Sequence, residues 1–147
     1  MAATSVLPAT RKKLRDQLKA RAALARVQIT TGKPQAPDSE YIAILGAPAH
    51  RQEHAAMGTT LHPRREDFEL ALVVSVVQAG HPDSDAVVDR AFVLAGELEN
   101  QLRDDQTIGG NVEYAEVSEL PFEDLGPNDE GFREARIHAR VRCRAYL

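Results

Sequence analysis

With 147 residues, 43% of them hydrophobic and 27% charged, the chain is long enough to bury one sizeable core and too apolar to be disordered over its bulk. A formal net charge of -4 excludes the global basic field that drives nucleic-acid binding. The lone Cys143 excludes an intrachain disulfide, and no apolar run at the N-terminus is long enough for a signal peptide or membrane span, which points to a reducing cytosol.

Residues 1–6 read as a flexible end. Leu7, Leu14 and Leu18 then follow the seven-and-four spacing of a helical stripe and predict a first helix over 8–25, with Lys12, Lys13, Arg15, Asp16, Lys19 and Arg26 on its solvated side. Two short β-branched runs, 27–31 and 41–45, each closed by glycine and proline, predict two strands. Residues 46–63 lack a sustained period and read as a long loop with one helical turn around 51–57.

The stretch 64–79, RREDFELALVVSVVQA, is the longest run of strand-forming residues. Alternation places Phe68, Leu70, Leu72, Val74 and Val76 on one face, and Asp67, Glu69, Ala71, Val73, Ser75 and Val77 on the other. This is the expected central strand, its opening half amphipathic and its second half apolar on both faces. Asp83 or Ser84 caps a second helix over 84–104, whose stripe is Val88, Ala91, Ala95, Leu98 and Leu102, with Phe92 at its margin and Gly109 and Gly110 just beyond its end. A strand over 111–120 follows, reached by a crossover or by an antiparallel return. Residues 121–131 form an acidic turn. The last strand alternates without a break over 135–147, with Ala135, Ile137, Ala139, Val141, Cys143, Ala145 and Leu147 on one face and Arg136, His138, Arg140, Arg142, Arg144 and Tyr146 on the other. The expected architecture is α+β: one domain spanning the chain, with a mainly antiparallel or mixed sheet of four to five strands and two principal helices on one face.

No residue pattern points to catalysis. His50 and His54 share a face only if helical, with His62 a third candidate metal ligand, yet the flanking Glu of a zinc-protease helix is missing, so they read as loop histidines. His81, Asp83, Ser84 and Asp85 are explained by helix capping, and Cys143 lies on an apolar face where a buried thiol is inert. No cofactor or metal is expected. The arginine row of the last strand is the sharpest local feature. It reads as a sheet face paired with Asp67, Glu69, Glu113 and Glu116 of neighbouring strands. Alternatively it is a contact with the acidic turn of a second subunit, or a nucleic-acid-binding surface.

The stretches HAAMG, RREDFELALVVSVV and DEGFREARIHARVRCRA, taken with the order of elements, resemble tail terminator proteins of long-tailed bacteriophages, especially actinobacterial ones, over residues 7–147. That resemblance implies a virion protein, assembled in the host cytoplasm. It forms a hexameric ring on the tail tube, ends polymerisation of the major tail tube protein and docks the head connector, with DNA passing through the channel and no membrane involved. Another neck or head-completion ring protein is the nearest alternative. In such a ring Glu123, Asp124, Asp129 and Glu130 of one subunit are expected to meet Arg136, Arg140, Arg142 and Arg144 of the next. Arg64, Arg65 and Glu66, at the opening of the central strand, are expected to project outward to a partner.

Overall fold

Two long strands organise the computed structural model, which describes residues 4–54 and 64–146, the side chain of His54 excepted. β4 (Arg64–Gln78) and β7 (Arg133–Tyr146) pair antiparallel without interruption from Arg65↔Tyr146 to Gln78↔Arg133. Strict two-residue alternation in both strands sends Phe68, Leu70, Leu72, Val74 and Val76 to the same side as Ala135, Ile137, Ala139, Val141 and Cys143, and all are buried. The two helices cover that side.

Each long strand has its outer edge divided between two short ones. β2 (Glu40–Ile44) pairs with the second half of β4, from Leu72 to Val76, and β3 (Ala49–His54) with the first half, from Arg64 to Glu69. β5 (Tyr114–Glu119) and β6 (Phe122–Leu125) divide β7 in the same way. β1 (Gln28–Thr31) adds parallel to β2, so the path through the sheet is β1-β2-β4-β7-β5. The sheet is mixed and the fold α+β, with seven strands where four to five were expected.

The two extra strands are β3 and β6, and both were expected as loop. AHRQEH and FEDL carry little strand propensity, but each lies against a stretch of β4 or β7 whose backbone groups would otherwise lack partners. The expected helical turn around 51–57 is therefore a strand as far as His54, and residues 55–63 lie outside the described residues.

α2 (Ser84–Asp104) has the predicted bounds. The Asp83 carboxylate accepts from the Ala86 N–H at 2.9 Å, and Val87, Ala91, Leu94, Ala95, Leu98 and Leu102 are buried over β4 and β7. Because β7 separates β4 from β5 and runs antiparallel to both, β4 and β5 are parallel and α2 is a crossover. α1 (Leu7–Lys19) buries Leu14 and Leu18 and packs against β1. It stops short of the expected residue 25 because Arg21 turns extended and reaches α2, bonding Glu97 at 3.1 Å and Asp104 at 2.9 Å. A single 3-10 turn at Ala22–Leu24 then buries Leu24.

Asp105 closes α2. Its carboxylate accepts from the Thr107 hydroxyl (2.7 Å) and from the backbone N–H groups of Thr107 (3.0 Å) and Gly109 (2.8 Å), and takes a bond from Gln17 of α1 (2.9 Å). These donors, the Thr107 hydroxyl foremost, hold its pKa down at about 2. A carboxylate with a depressed folded-state pKa contributes stability above its unfolded pKa and loses that contribution as pH falls through the folded value. Asp105→Ala is expected to lose about 1–2 kcal/mol at pH 7, discounted for partial exposure. In denaturant titrations the difference from the parent should shrink between pH 4 and pH 2.

Candidate functional site

The face of the sheet away from the helices carries alternating charge, and strand register fixes which side chains meet. Asp67 lies between Arg51 of β3 and Arg144 of β7, and Glu69 and Glu116 flank Arg142. The Arg144 Nε donates to Asp67 Oδ1 at 2.7 Å, which raises the pKa of that guanidinium, and the same group lies over the Tyr114 ring at 5.7 Å. Arg142 sits 3.9 Å from both Glu69 and Glu116. Arg136 bonds Glu134, two residues back on its own strand, at 2.7 Å, and Glu134 in turn accepts from the Ser75 hydroxyl at 2.9 Å. Arg140 stands opposite Ala71 on β4 and meets β5 where the register shifts between Val117 and Glu119.

The structure therefore brings the arginine row together with Asp67, Glu69 and Glu116 inside one chain. Glu113, expected among those partners, contributes instead its backbone N–H, to the Arg144 carbonyl at 2.6 Å. A surface of interleaved signs has no single-sign cradle for a phosphate backbone, so the row offers nucleic acid little while its carboxylates hold it.

Two of the four acidic residues expected at a subunit contact, Glu123 and Asp124, also lie beside arginines of their own chain. Glu123 is the register partner of Arg136 and sits 3.6 Å from His138, while Asp124 pairs with Arg133 at 2.9 Å and accepts from the Ser84 hydroxyl. Asp129 and Glu130 are exposed in the turn before β7. Asn128 holds that turn, its side-chain oxygen accepting from the N–H groups of Glu130 and Phe132. Gly131, at φ +81°, has no room for a Cβ against the His81 ring. Every residue of β6 is exposed. Phe122 is 53% exposed and touches Phe92 of α2 edge-on at 5.6 Å; Val93 of α2 is also exposed, as is Leu125, on the opposite side of β6 from Phe122.

Glu66 differs from the expected outward residue: it is fully buried. It has the parity of Phe68 and Leu70, so its carboxylate faces the helix layer and meets the start of α1. There it accepts from the Ser5 hydroxyl and from the Val6 N–H at 3.1 Å, with His50 Nε2 at 2.8 Å. α1 has no acidic residue in its own first turn, so β4 supplies the anion that the helix N-terminus favours. Beside it, the Thr4 carbonyl accepts from the Gln52 side chain of β3 at 2.8 Å. The neighbouring Arg65 pairs with Glu53 and Asp67, and Arg64 is half-buried. The signal for Glu66 was present in the sequence as its even spacing from the apolar residues of the strand.

Among the described residues no group of three His, Cys, Asp or Glu side chains is placed to hold a metal ion. His62 lies outside the described residues. Cys143 is buried, and burial pushes its thiol up to about 12, far from a nucleophile's range. Among the described residues no helix is long and apolar enough to cross a membrane.

No family model matches the sequence, and no curated protein matches it. Among solved structures, a chain from the virion of a native gene transfer agent particle is similar at a TM-score of 0.43 and 17% identity, over 92% of this chain and 94% of that one. A likeness that distant carries no argument about function.

Glu66→Ala leaves the Val6 N–H, the Ser5 hydroxyl and His50 without their acceptor. A loss of about 2–3 kcal/mol is expected in denaturant unfolding. Hydrogen exchange should rise over the first turn of α1, whereas Arg144→Ala, on the solvated face, should leave that exchange unchanged.

Proposed function

We propose that this chain is a structural subunit of a bacteriophage tail: a terminator that assembles into a hexameric ring on the tail tube, stops its growth and joins it to the head connector. The sequence resemblance over residues 7–147 supports that specific role. The observation that carries the wider reading, a subunit built to associate, is the edge formed by β6 and α2.

That edge is apolar and acidic at once. Phe122 rests only partly on Phe92 on the helix side of β6, Leu125 is exposed beside Glu123 on the other side, and Asp129 and Glu130 are exposed in the turn that follows. Exposed aromatic and aliphatic side chains rimmed by charge mark association surfaces, the apolar groups supplying affinity and the charges orientation. The partners on this reading are further copies of the chain, the major tail tube protein and the head connector, in the virion at the head-tail junction. DNA passes the ring without being read, in keeping with the interleaved charge of the open sheet face. The side chains act by binding and positioning, with no chemical step.

The test is tube length. Tail tube protein polymerised in vitro with this chain present is expected to give shorter tubes, each with an extra ring at one end in electron micrographs. Tubes of unchanged length with bare ends contradict the terminator role. Binding to the connector without any effect on tubes would assign the chain to the neck instead.

A further inference from the structure

Opposite edges of the sheet carry opposite charge. Residues 11–33 comprise α1 from Arg11 onward, the 3-10 turn, β1 and the start of the loop after it. They hold eight basic side chains, Arg11, Lys12, Lys13, Arg15, Lys19, Arg21, Arg26 and Lys33, against the single acid Asp16. Residues 113–130, which include β5 and β6, hold seven acidic side chains, Glu113, Glu116, Glu119, Glu123, Asp124, Asp129 and Glu130, and no basic one. β1 ends the sheet at one side, with α1 packed on it, and β5 and β6 end it at the other, because β4 occupies the whole inner edge of β7. The chain as a whole is only mildly acidic, so this is a separation of charge and not an excess of it.

The cations of the first edge are also the less committed ones. Arg11 is turned inward to the Ile44 carbonyl at 3.0 Å and Arg21 to α2. Lys12, Lys19, Arg26 and Lys33 are exposed, and among the described residues none makes an ion pair. On β7, by contrast, Arg136, Arg142 and Arg144 lie beside Glu134, Glu69, Glu116 and Asp67 of their own chain, while Arg140 makes no ion pair among the described residues. At the other edge Glu119, Asp129 and Glu130 are exposed, and Glu123, opposite Arg136 in the register, lies 3.6 Å from His138.

From this placement we propose that the α1–β1 edge of one subunit docks on the β5–β6 edge of a second copy. The exposed Lys12, Lys19, Arg26 and Lys33 face Glu119, Glu123, Asp129 and Glu130 across the contact, and Phe122 is its apolar anchor. The proposal rests on the ring reading above and names the surfaces that make the ring. A contact between two different edges of the same molecule is heterologous and repeats head to tail, which closes into a ring when the rotation per subunit allows it. The occupant is a second copy because its own opposite edge carries matching charge of equal number and opposite sign. Like edges repel, which disfavours the two-fold dimer that would compete with the ring.

The test is a charge reversal and its repair, read by mass photometry and sedimentation on the full chain, with circular dichroism to verify folding. Lys12→Glu with Lys19→Glu is expected to raise the concentration needed for assembly by roughly tenfold or more. Glu119→Lys with Glu123→Lys is expected to do the same, and mixing the two variants is expected to restore mixed assemblies. Should a reversal unfold the chain, Lys12→Ala with Lys19→Ala gives the same readout with a smaller effect. Parent assembly is expected to weaken between 0.05 and 0.5 M salt, as exposed charge pairs are screened (a range of about 14 to 4 Å in Debye length). Rings that survive both reversals overturn this inference and leave the ring reading intact, as do rings lost only with Arg140→Glu and Arg142→Glu on β7. A chain that stays monomeric at every concentration and on tail tubes overturns both.

Discussion

The antiparallel ladder between β4 and β7 is the constraint on which the rest of the structure depends. Its unbroken register makes two independent facts about sequence coincide: apolar residues at every second position in each strand, and the same side of the sheet for both sets. A slip of one residue would carry Leu70, Leu72 and Val74 to the open face and bring Asp67 and Glu69 under α2. The ladder also sets the charge pairs, since Asp67 meets Arg144 and Glu69 meets Arg142 only in this register. One geometric relation thus determines both the core and the charged surface.

The division of each outer edge follows from the length of those strands. Neither β2 nor β3 alone is long enough to satisfy the backbone of β4, and neither β5 nor β6 that of β7. The short strands therefore come in pairs, and the chain between them is brought to the ends of the sheet. That is how the acidic segment at 113–130 becomes one edge while the basic helix α1, placed over β1, becomes the other. Glu66 ties the first turn of α1 back to the ladder, so the basic edge is fixed relative to the strands that bear the acidic one.

The elements read from sequence divide by how much of their pattern is local. α2, β4 and β7 are long, strictly periodic and, for α2, capped, so their own residues specify them. β3 and β6 are strands because a long neighbour has unpaired backbone there, and nothing in AHRQEH or FEDL announces it. α1 ends early for a tertiary reason, the reach of Arg21 to Glu97 and Asp104. Among candidate site residues, the alternation of arginines on the last strand was legible, and so were Asp67, Glu69 and Glu116 as its partners on neighbouring strands, but which arginine meets which carboxylate is revealed only by the register. Glu66 was legible in principle from its parity with Phe68.

The central claim is that two unlike edges of one sheet are made for each other. Zero-length carbodiimide coupling joins an amine to a carboxylate only when they touch, and mixing isotope-labelled with unlabelled chains separates bonds between subunits from bonds within one. Applied to the assembled protein, it should give mixed-label bonds from Lys12, Lys19 or Lys33 to the acidic residues of 113–130. Assemblies whose mixed-label bonds join those lysines to other carboxylates, or that form none, would contradict the account.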